Sequence, residues 1–378
     1  MMLRNTMLAS ALLTATLGVD ALGQSGGGDA ELYMTGLAGP VGLEVDGRAR
    51  AWLSQMGAPI APGNGSVSWF YVGQNTLNPF IENYPIAINP VTGEGAGAHH
   101  LTIDNVGNLL MAAGGPEVPN RWGGVLQYDT TPAIAEAGPY PAATGGTPQM
   151  NYFPTANTAI GAGAPDTNAY SVAEDQFGNL FVADAGANMV IKVDTTGSSS
   201  VFATFPDITN PTPPDSQSVP TRIIHLPNDG LPGSRAFIMV ELTGGPFIAG
   251  NSRIWSIAND GSTSIIATGG TTVVDCELDT DGSLLICSAG TWDGVANIFA
   301  QGSGSISRVD LTTGSITTVK SGLWLPTGIE VIDGMIYFCT FYEGNMYRFD
   351  PCPADISGDG MVDGVDLAII LGSWGVCP

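Results

Sequence analysis

A turn that returns at a fixed interval constrains this chain more than any other feature. Asp46-Gly47, Gly107-Asn108, Gly178-Asn179, Asp229-Gly230, Asp281-Gly282 and Asp333-Gly334 each separate two short apolar runs. Gly178, Gly230, Gly282 and Gly334 are spaced by 52 residues each, and the earlier steps from Gly47 to Gly107 to Gly178 are 60 and 71. A period near fifty with four short strands per unit marks a radial array, because one such sheet cannot cover both of its faces alone. Packed about an axis, each sheet covers the next. The sequence predicts an all-β fold, a six-bladed β-propeller over residues 24–350, with the longer steps holding loop insertions.

The two ends of this region resemble one another. ELYMTGLAGPVGLEVDG at 31–47 parallels TTVKSGLWLPTGIEVIDG at 317–334, so Gly36-Leu37, Pro40 and Gly42 match Gly322-Leu323, Pro326 and Gly328. The last unit offers three strands (about 328–332, 335–340 and 345–349), whereas the first has a spare strand near 30–35. We expect that strand to complete the last blade and close the ring, which removes two raw sheet edges. Segment 130–168, rich in Ala, Pro, Gly and Thr, carries the largest insertion, and no amphipathic helix is expected before residue 360.

Charge and ends narrow the setting. The net charge is −24 although only 12% of residues are charged, which argues against nucleic acid and against anionic membrane surfaces. Arg4, an apolar run over 7–19 and Ala21-Leu22-Gly23 form a secretory signal peptide over residues 1–23. That run is too short to span a bilayer, and no later segment is long and apolar enough, so export to the periplasm or cell exterior without a membrane span is expected. Such a compartment permits disulfides. Cys352 and Cys377 bracket the C-terminal segment and are the expected pair, worth roughly 3 kcal/mol by loop closure. Cys276 and Cys287 lie on two arms of one hairpin and either bridge or remain buried thiols; Cys339 reads as a buried free thiol.

Propeller chemistry gathers where the channel opens. Loops entering the inner strands carry His99, His100, Tyr170, Arg222, Asp275 and Thr327; loops between second and third strands carry Asp184, Asn188, Glu241, Thr243, Asp293 and Glu343. His99, His100, Asp184, Arg222, Glu241 and Asp275 form the candidate channel-mouth site, since two imidazoles with carboxylates can bind a metal or move protons. The plainer alternative is that Asp and Asn make turns and the histidines bond across the channel. His225, within RIIHL, reads as structural. Trp122, Tyr170, Trp292 and Tyr342 suit either sugar stacking or packing between blades. No Gly-x-Ser-x-Gly elbow, Gly-Lys-Ser/Thr phosphate loop or Cys-x-x-Cys occurs.

Residues 352–378 read as a separate module. With Asp355 at position 1, Ser357, Asp359, Met361, Asp363 and Asp366 occupy positions 3, 5, 7, 9 and 12, and Gly360 position 6. That is the spacing of an EF-hand calcium loop: alternate residues turn oxygens inward, the glycine permits the sharp turn and Met361 offers its carbonyl. Asp366 would close the shell from the start of a helix. Asp at position 12 and the Val-Asp-Gly-Val-Asp-Leu run resemble a single dockerin type I repeat, which implies calcium and attachment to a cohesin-like or cell-surface partner. Cohesin-binding dockerins usually carry two repeats, and here the flanking cysteines would substitute for the second by stapling the single unit shut.

The propeller region also resembles a family. VADAGANMVIKVD (182–194), VPTRI (219–223), VELTGGPF (240–247), VVDCELDTDGSLL (273–285) and GLWLPTGIEV (322–331) are similar to the ScyD/ScyE family of NHL-like propellers. The resemblance covers most of 30–350 and implies an exported propeller without implying a reaction. Arg222 stands where that family usually has glycine. The leading expectation is therefore a secreted binding or scaffold protein with a calcium-binding tail, more a binder than an enzyme. Its alternatives are a gluconolactonase-like, metal-dependent hydrolase of a lactone or sugar ester, and a polysaccharide-binding protein associated with carbohydrate degradation.

Overall fold

A computed structural model describes residues 30–57, 65–88, 95–114, 124–141, 150–155, 159, 167–228, 230–351, 362 and 364–372. Residues 1–23, expected as a signal peptide, and Trp122, Cys352, Cys377, Asp355, Ser357, Asp359, Met361 and Asp363 lie outside the described residues.

Six sheets, each built on four antiparallel strands, form the blades of a β-propeller; in five of them these strands follow chain order or its reverse. Their inner strands are Pro40–Val45, Ala98–Ile103, Ala169–Glu174, Ser218–His225, Val273–Leu278 and Pro326–Ile332. Each inner strand lies against the next, and Pro326–Ile332 lies against Pro40–Val45, so the array returns on itself. The outer position of the last blade is taken by Glu31–Met34, which pairs antiparallel with Asn345–Phe349.

Each periodic glycine falls between the first and second strand of its blade. The side chain that builds the turn is an aspartate a few residues earlier. Asp46, Asp104 and Asp175 each accept two backbone N–H bonds across their turn, from Arg48 and Arg50, Val106 and Asn108, and Phe177 and Asn179. Gly107 (φ 91°) and Gly178 (φ 85°) then adopt the left-handed backbone that a side chain resists, and in the first turn Ala49 (φ 57°) takes that place.

Blade faces are joined by six apolar clusters. Trp52, Trp69 and Phe80 of blade one pack on Leu101, Met111 and Tyr128 of blade two, and equivalent layers recur around the ring. The Pro-x-Gly repeats that linked the chain's two ends have a steric cause. A Cβ at Gly42 would come 2.8 Å from the His100 Cα, and one at Gly328 2.9 Å from the Val41 carbonyl oxygen. Backbones of adjacent inner strands touch there, and only glycine fits.

Part of segment 130–168 covers a sheet edge. A short helix, Pro132–Glu136, precedes Tyr140–Pro141, which pairs in parallel with the outer strand of blade one, Asn78–Tyr84. Met150–Pro154 then supplies the outer strand of blade two. The helix was not expected from sequence; at five residues it has too few turns to show a periodic apolar face. Cys276, Cys287 and Cys339 are buried free thiols, so the hairpin cysteines do not bridge. A helix spans Gly364–Gly372, with Asp366 buried in its first turn. Among the described residues, no helix is long and apolar enough to cross a membrane.

Candidate functional site

Every inner strand carries a β-bulge near its start. A bulge inserts an extra residue and re-aims side chains. Its clearest consequence is at blade two. His99 and His100 are consecutive, and a regular strand would point them to opposite faces. With the bulge between Ala98 and Leu101, both imidazoles reach Tyr170, their ring centroids 4.6 and 5.3 Å from its ring.

Tyr170 divides the channel. On one side is a pocket at the end where the inner strands begin. Val41, Tyr170 and Thr327 form its floor, Met56, Phe299 and Leu325 its walls, and the partly buried Trp292, Phe341 and Tyr342 its rim. Its surface is predominantly carbon, and its empty volume, counting the open mouth, is about 430 Å³. The rim is rigid. Trp292 lies edge-on to Phe299 at 5.1 Å, and Trp324 packs on Tyr342 at 5.2 Å while its Nε1 donates to the Phe299 carbonyl at 3.0 Å. Burial pushes the Tyr342 hydroxyl up to about 12.

On the other side of Tyr170, the channel is charged. His100 Nδ1 is 3.7 Å from Asp275 Oδ1, and Arg222 Nε is 3.4 Å from that same oxygen. Arg222 also reaches Glu44 at 3.3 Å and Glu277 at 3.7 Å and donates to the Leu101 carbonyl at 3.0 Å. Glu330, on the neighbouring inner strand, feels Glu277 and Glu44 as like charges. Four carboxyl groups thus share one guanidinium. Burial raises all four, with Arg222 pulling the other way: Asp275 well above its ordinary range, Glu44 to about 7, Glu277 upward, and Glu330 far upward, with repulsion from Glu277 and Glu44 adding to it. Burial lowers both histidines, His99 to about 4 and His100 well below its ordinary value, the latter also through Arg222. Both imidazoles are therefore neutral at physiological pH. His99 Nδ1 bonds the Ala169 carbonyl at 2.9 Å, while His99 Nε2 and His100 Nδ1 have no hydrogen-bond partner among the described residues.

Of the nominated channel residues, the structure brings together His99, His100, Arg222 and Asp275. Asp184 and Glu241 do not join them. Asp184 accepts from the Thr167 hydroxyl and from the Asn168 and Ala187 N–H groups, closing a turn within blade three. Glu241 accepts from Ser218, Arg253 and Trp255 inside blade four. His225 packs on Phe237 in its strand, as its surroundings suggested. Three of the four nominated aromatics, Tyr170, Trp292 and Tyr342, meet in one pocket. Glu44, Glu277 and Glu330 were not nominated. Their signal was present: each occupies the same place in its repeat, two residues after Gly42, Asp275 and Gly328, where an inner-strand side chain points into the channel. Among the described residues, no three His, Cys, Asp or Glu side chains are placed to hold a metal ion.

No protein-family model and no curated protein matches the chain. Solved structures do. A gluconolactonase from Xanthomonas campestris superposes with a TM-score of 0.54 at 11% identity, over 85% of this chain and 90% of that one. A putative gluconolactonase gives 0.53 at 11% identity, over 87% and 93%. A Bacteroides thetaiotaomicron protein of unknown function gives 0.54 at 11% identity, over 86% and 72%. These neighbours are six-bladed propellers, and at such identity the likeness shows the fold alone.

Proposed function

We propose that this chain is a secreted binding protein that holds its ligand in the aromatic pocket at the propeller mouth and is attached through its calcium-binding, dockerin-like tail. The observation carrying this reading is the division at Tyr170. The concave, accessible surface is apolar and aromatic, while the groups able to move protons lie behind Tyr170, engaged with one another or with the backbone. Preformed apolar concavities with rigid aromatic walls are what small-ligand sites are made of. The EF-type spacing from Asp355 to Asp366 supports calcium, and the ScyD/ScyE-like motifs together with residues 1–23 support an exported propeller.

A second reading is favoured by one observation. His100, Asp275 and Arg222 do converge in the channel, and an imidazole beside a raised carboxyl is acid–base machinery if a substrate reaches it. A gluconolactonase-like hydrolase would use these groups. Two measurements separate the readings. Hydrolysis of δ-gluconolactone by the calcium-loaded protein is expected to match the uncatalysed rate. Turnover that disappears in Asp275→Asn would establish the hydrolase. Calorimetry is expected to find one calcium per chain, lost in Asp359→Ala; tight binding retained by that variant would move the ion to the propeller.

A further inference from the structure

Resting on the reading of the mouth pocket as the ligand site, we infer that its ligand is an organic cation, an alkylated ammonium group held by the aromatic rim. Two independent features meet there. The first is the wall. Tyr170, Trp292, Phe299, Phe341 and Tyr342 place five aromatic rings around a single concavity. Ring faces carry negative electrostatic potential, and alkylated ammonium groups, weakly hydrated and apolar in outline, are the cations such cages take. A sugar fits poorly, because a wall that is predominantly carbon offers little to its hydroxyls.

The second feature is the charge around the mouth. Each of the two loops that supply rim aromatics carries one charged residue, and both are acidic: Asp293 follows Trp292, and Glu343 follows Tyr342. Both are exposed. The loops 290–302, 322–327 and 340–344 contain no Lys or Arg. Asp293 sits on a two-residue hairpin where Trp292 pairs with Phe299, and its carboxylate accepts the Val295 and Ala296 N–H groups at 2.9 and 3.0 Å. Those bonds hold it below the usual carboxylate range, so it is ionised at neutral pH. Glu343 lines the adjoining hollow with Trp324 and Tyr347. Arg222, in the channel, is engaged with Glu44, Asp275 and Glu277 and has Glu330 beside it. Asp293 and Glu343, each next in sequence to a lining aromatic, therefore set negative charge beside the pocket, in a chain of net charge −24. An anion is repelled, a neutral apolar ring gains nothing from that charge, and an alkylammonium uses both charge and rings.

The test is an isosteric pair. Choline and 3,3-dimethyl-1-butanol have the same shape and differ in the charge of the quaternary centre. Titrated against the mature, calcium-loaded protein by tryptophan fluorescence and calorimetry, choline is expected to bind at least about tenfold more tightly than the alcohol. Its affinity should weaken with added salt. The double variant Asp293→Asn, Glu343→Gln should lower choline affinity severalfold and leave the alcohol unchanged. Trp292→Leu should abolish both, and the double variant keeps the test intact if that substitution unfolds the protein. Equal affinity for the two ligands overturns the inference and leaves an uncharged apolar site. Binding of cellohexaose but neither small ligand also overturns it while the mouth remains a ligand site. A flat response to all three removes both the inference and the reading beneath it.

Discussion

The channel cluster makes the stability of this propeller depend on protons in a way the sign of its pKa shifts fixes. Arg222 faces Glu44 of blade one, Asp275 and Glu277 of blade five, and Glu330 of blade six, with His100 of blade two and Tyr170 of blade three closing the ring. A carboxyl whose folded pKa lies above its unfolded value stabilises the fold fully below the unfolded value and loses that contribution as pH rises through the folded one. For Glu44 the window runs from about 4.5 to about 7. At about 1.4 kcal/mol per unit this amounts to roughly 3 kcal/mol. Burial raises Glu330 and Asp275 as well, so both add to the same limb. The histidines act oppositely: lowered when folded, they withdraw stability as pH falls from 6.5 towards 4. Between about pH 4.5 and 6.5 the two limbs oppose one another, and above 6.5 only the carboxyl limb acts, so stability falls there. For a domain of this size, 3 kcal/mol over the whole window corresponds to about 4–5 °C in Tm, of which Glu44 contributes about 2 °C above pH 6, at constant ionic strength. Glu330→Gln removes one proton demand. It should raise Tm at pH 8.5 and change it little at pH 5. A Tm that is flat or rising between pH 6 and 8.5, or a Glu330→Gln effect equal at both pH values, would refute the assignment of these protons to the channel.

Two further outcomes follow from the turns and the ring seam. Asp46 accepts from Arg50 Nε at 2.7 Å and Trp52 Nε1 at 3.0 Å besides its two turn N–H groups, so Asp46→Ala should cost about 3–5 kcal/mol by leaving a buried guanidinium unpaired. Chemical denaturation measures this, and a loss below 1 kcal/mol would show that water replaces the carboxylate. Gly344 has φ 62° and takes the Leu37 N–H on its carbonyl at 2.8 Å, and a Cβ there would meet the Leu37 carbonyl. Gly344→Ala should loosen Glu31–Met34 from the last blade, seen as protease cleavage before residue 38 at temperatures where the parent resists; an unchanged digestion pattern would show the seam to be held elsewhere.

How much could be read in advance differs between fold and site for a physical reason. Gly107, Gly178, Gly230, Gly282 and Gly334 are visible because a tight turn needs a left-handed backbone and few residues supply it, whereas in blade one Ala49 (φ 57°) holds that place and Gly47 does not. The inner-strand Pro-x-Gly pairs were visible for a similar reason, the contact of adjacent backbones at Gly42 and Gly328. The bulges were invisible, since an extra residue in a strand leaves no obligatory residue type. That is why His99 and His100 could be nominated but not placed together on Tyr170. Asp184 and Glu241 illustrate the converse error. An aspartate after the second strand looks the same in sequence whether its carboxylate faces a ligand or, as at Asp184, the N–H groups of its own turn.

The division at Tyr170 also bears on what likeness to gluconolactonases can mean. A six-bladed ring leaves a channel that must be filled, and inner-strand side chains fill it whatever the protein does. Polar filling costs desolvation, and here that cost appears as raised carboxyls around Arg222 and neutral histidines. Perturbed groups of this kind often mark active sites, yet burial alone perturbs them equally. Access decides between the two. His100 and Asp275 are each 1% exposed, and Tyr170, at 3%, lies between them and the open pocket. A channel built for hydrolysis needs its acid–base pair in contact with the space a substrate enters. Among the described residues, the pocket at the mouth is lined largely by aromatic and aliphatic side chains, and neither His100 nor Asp275 lines it.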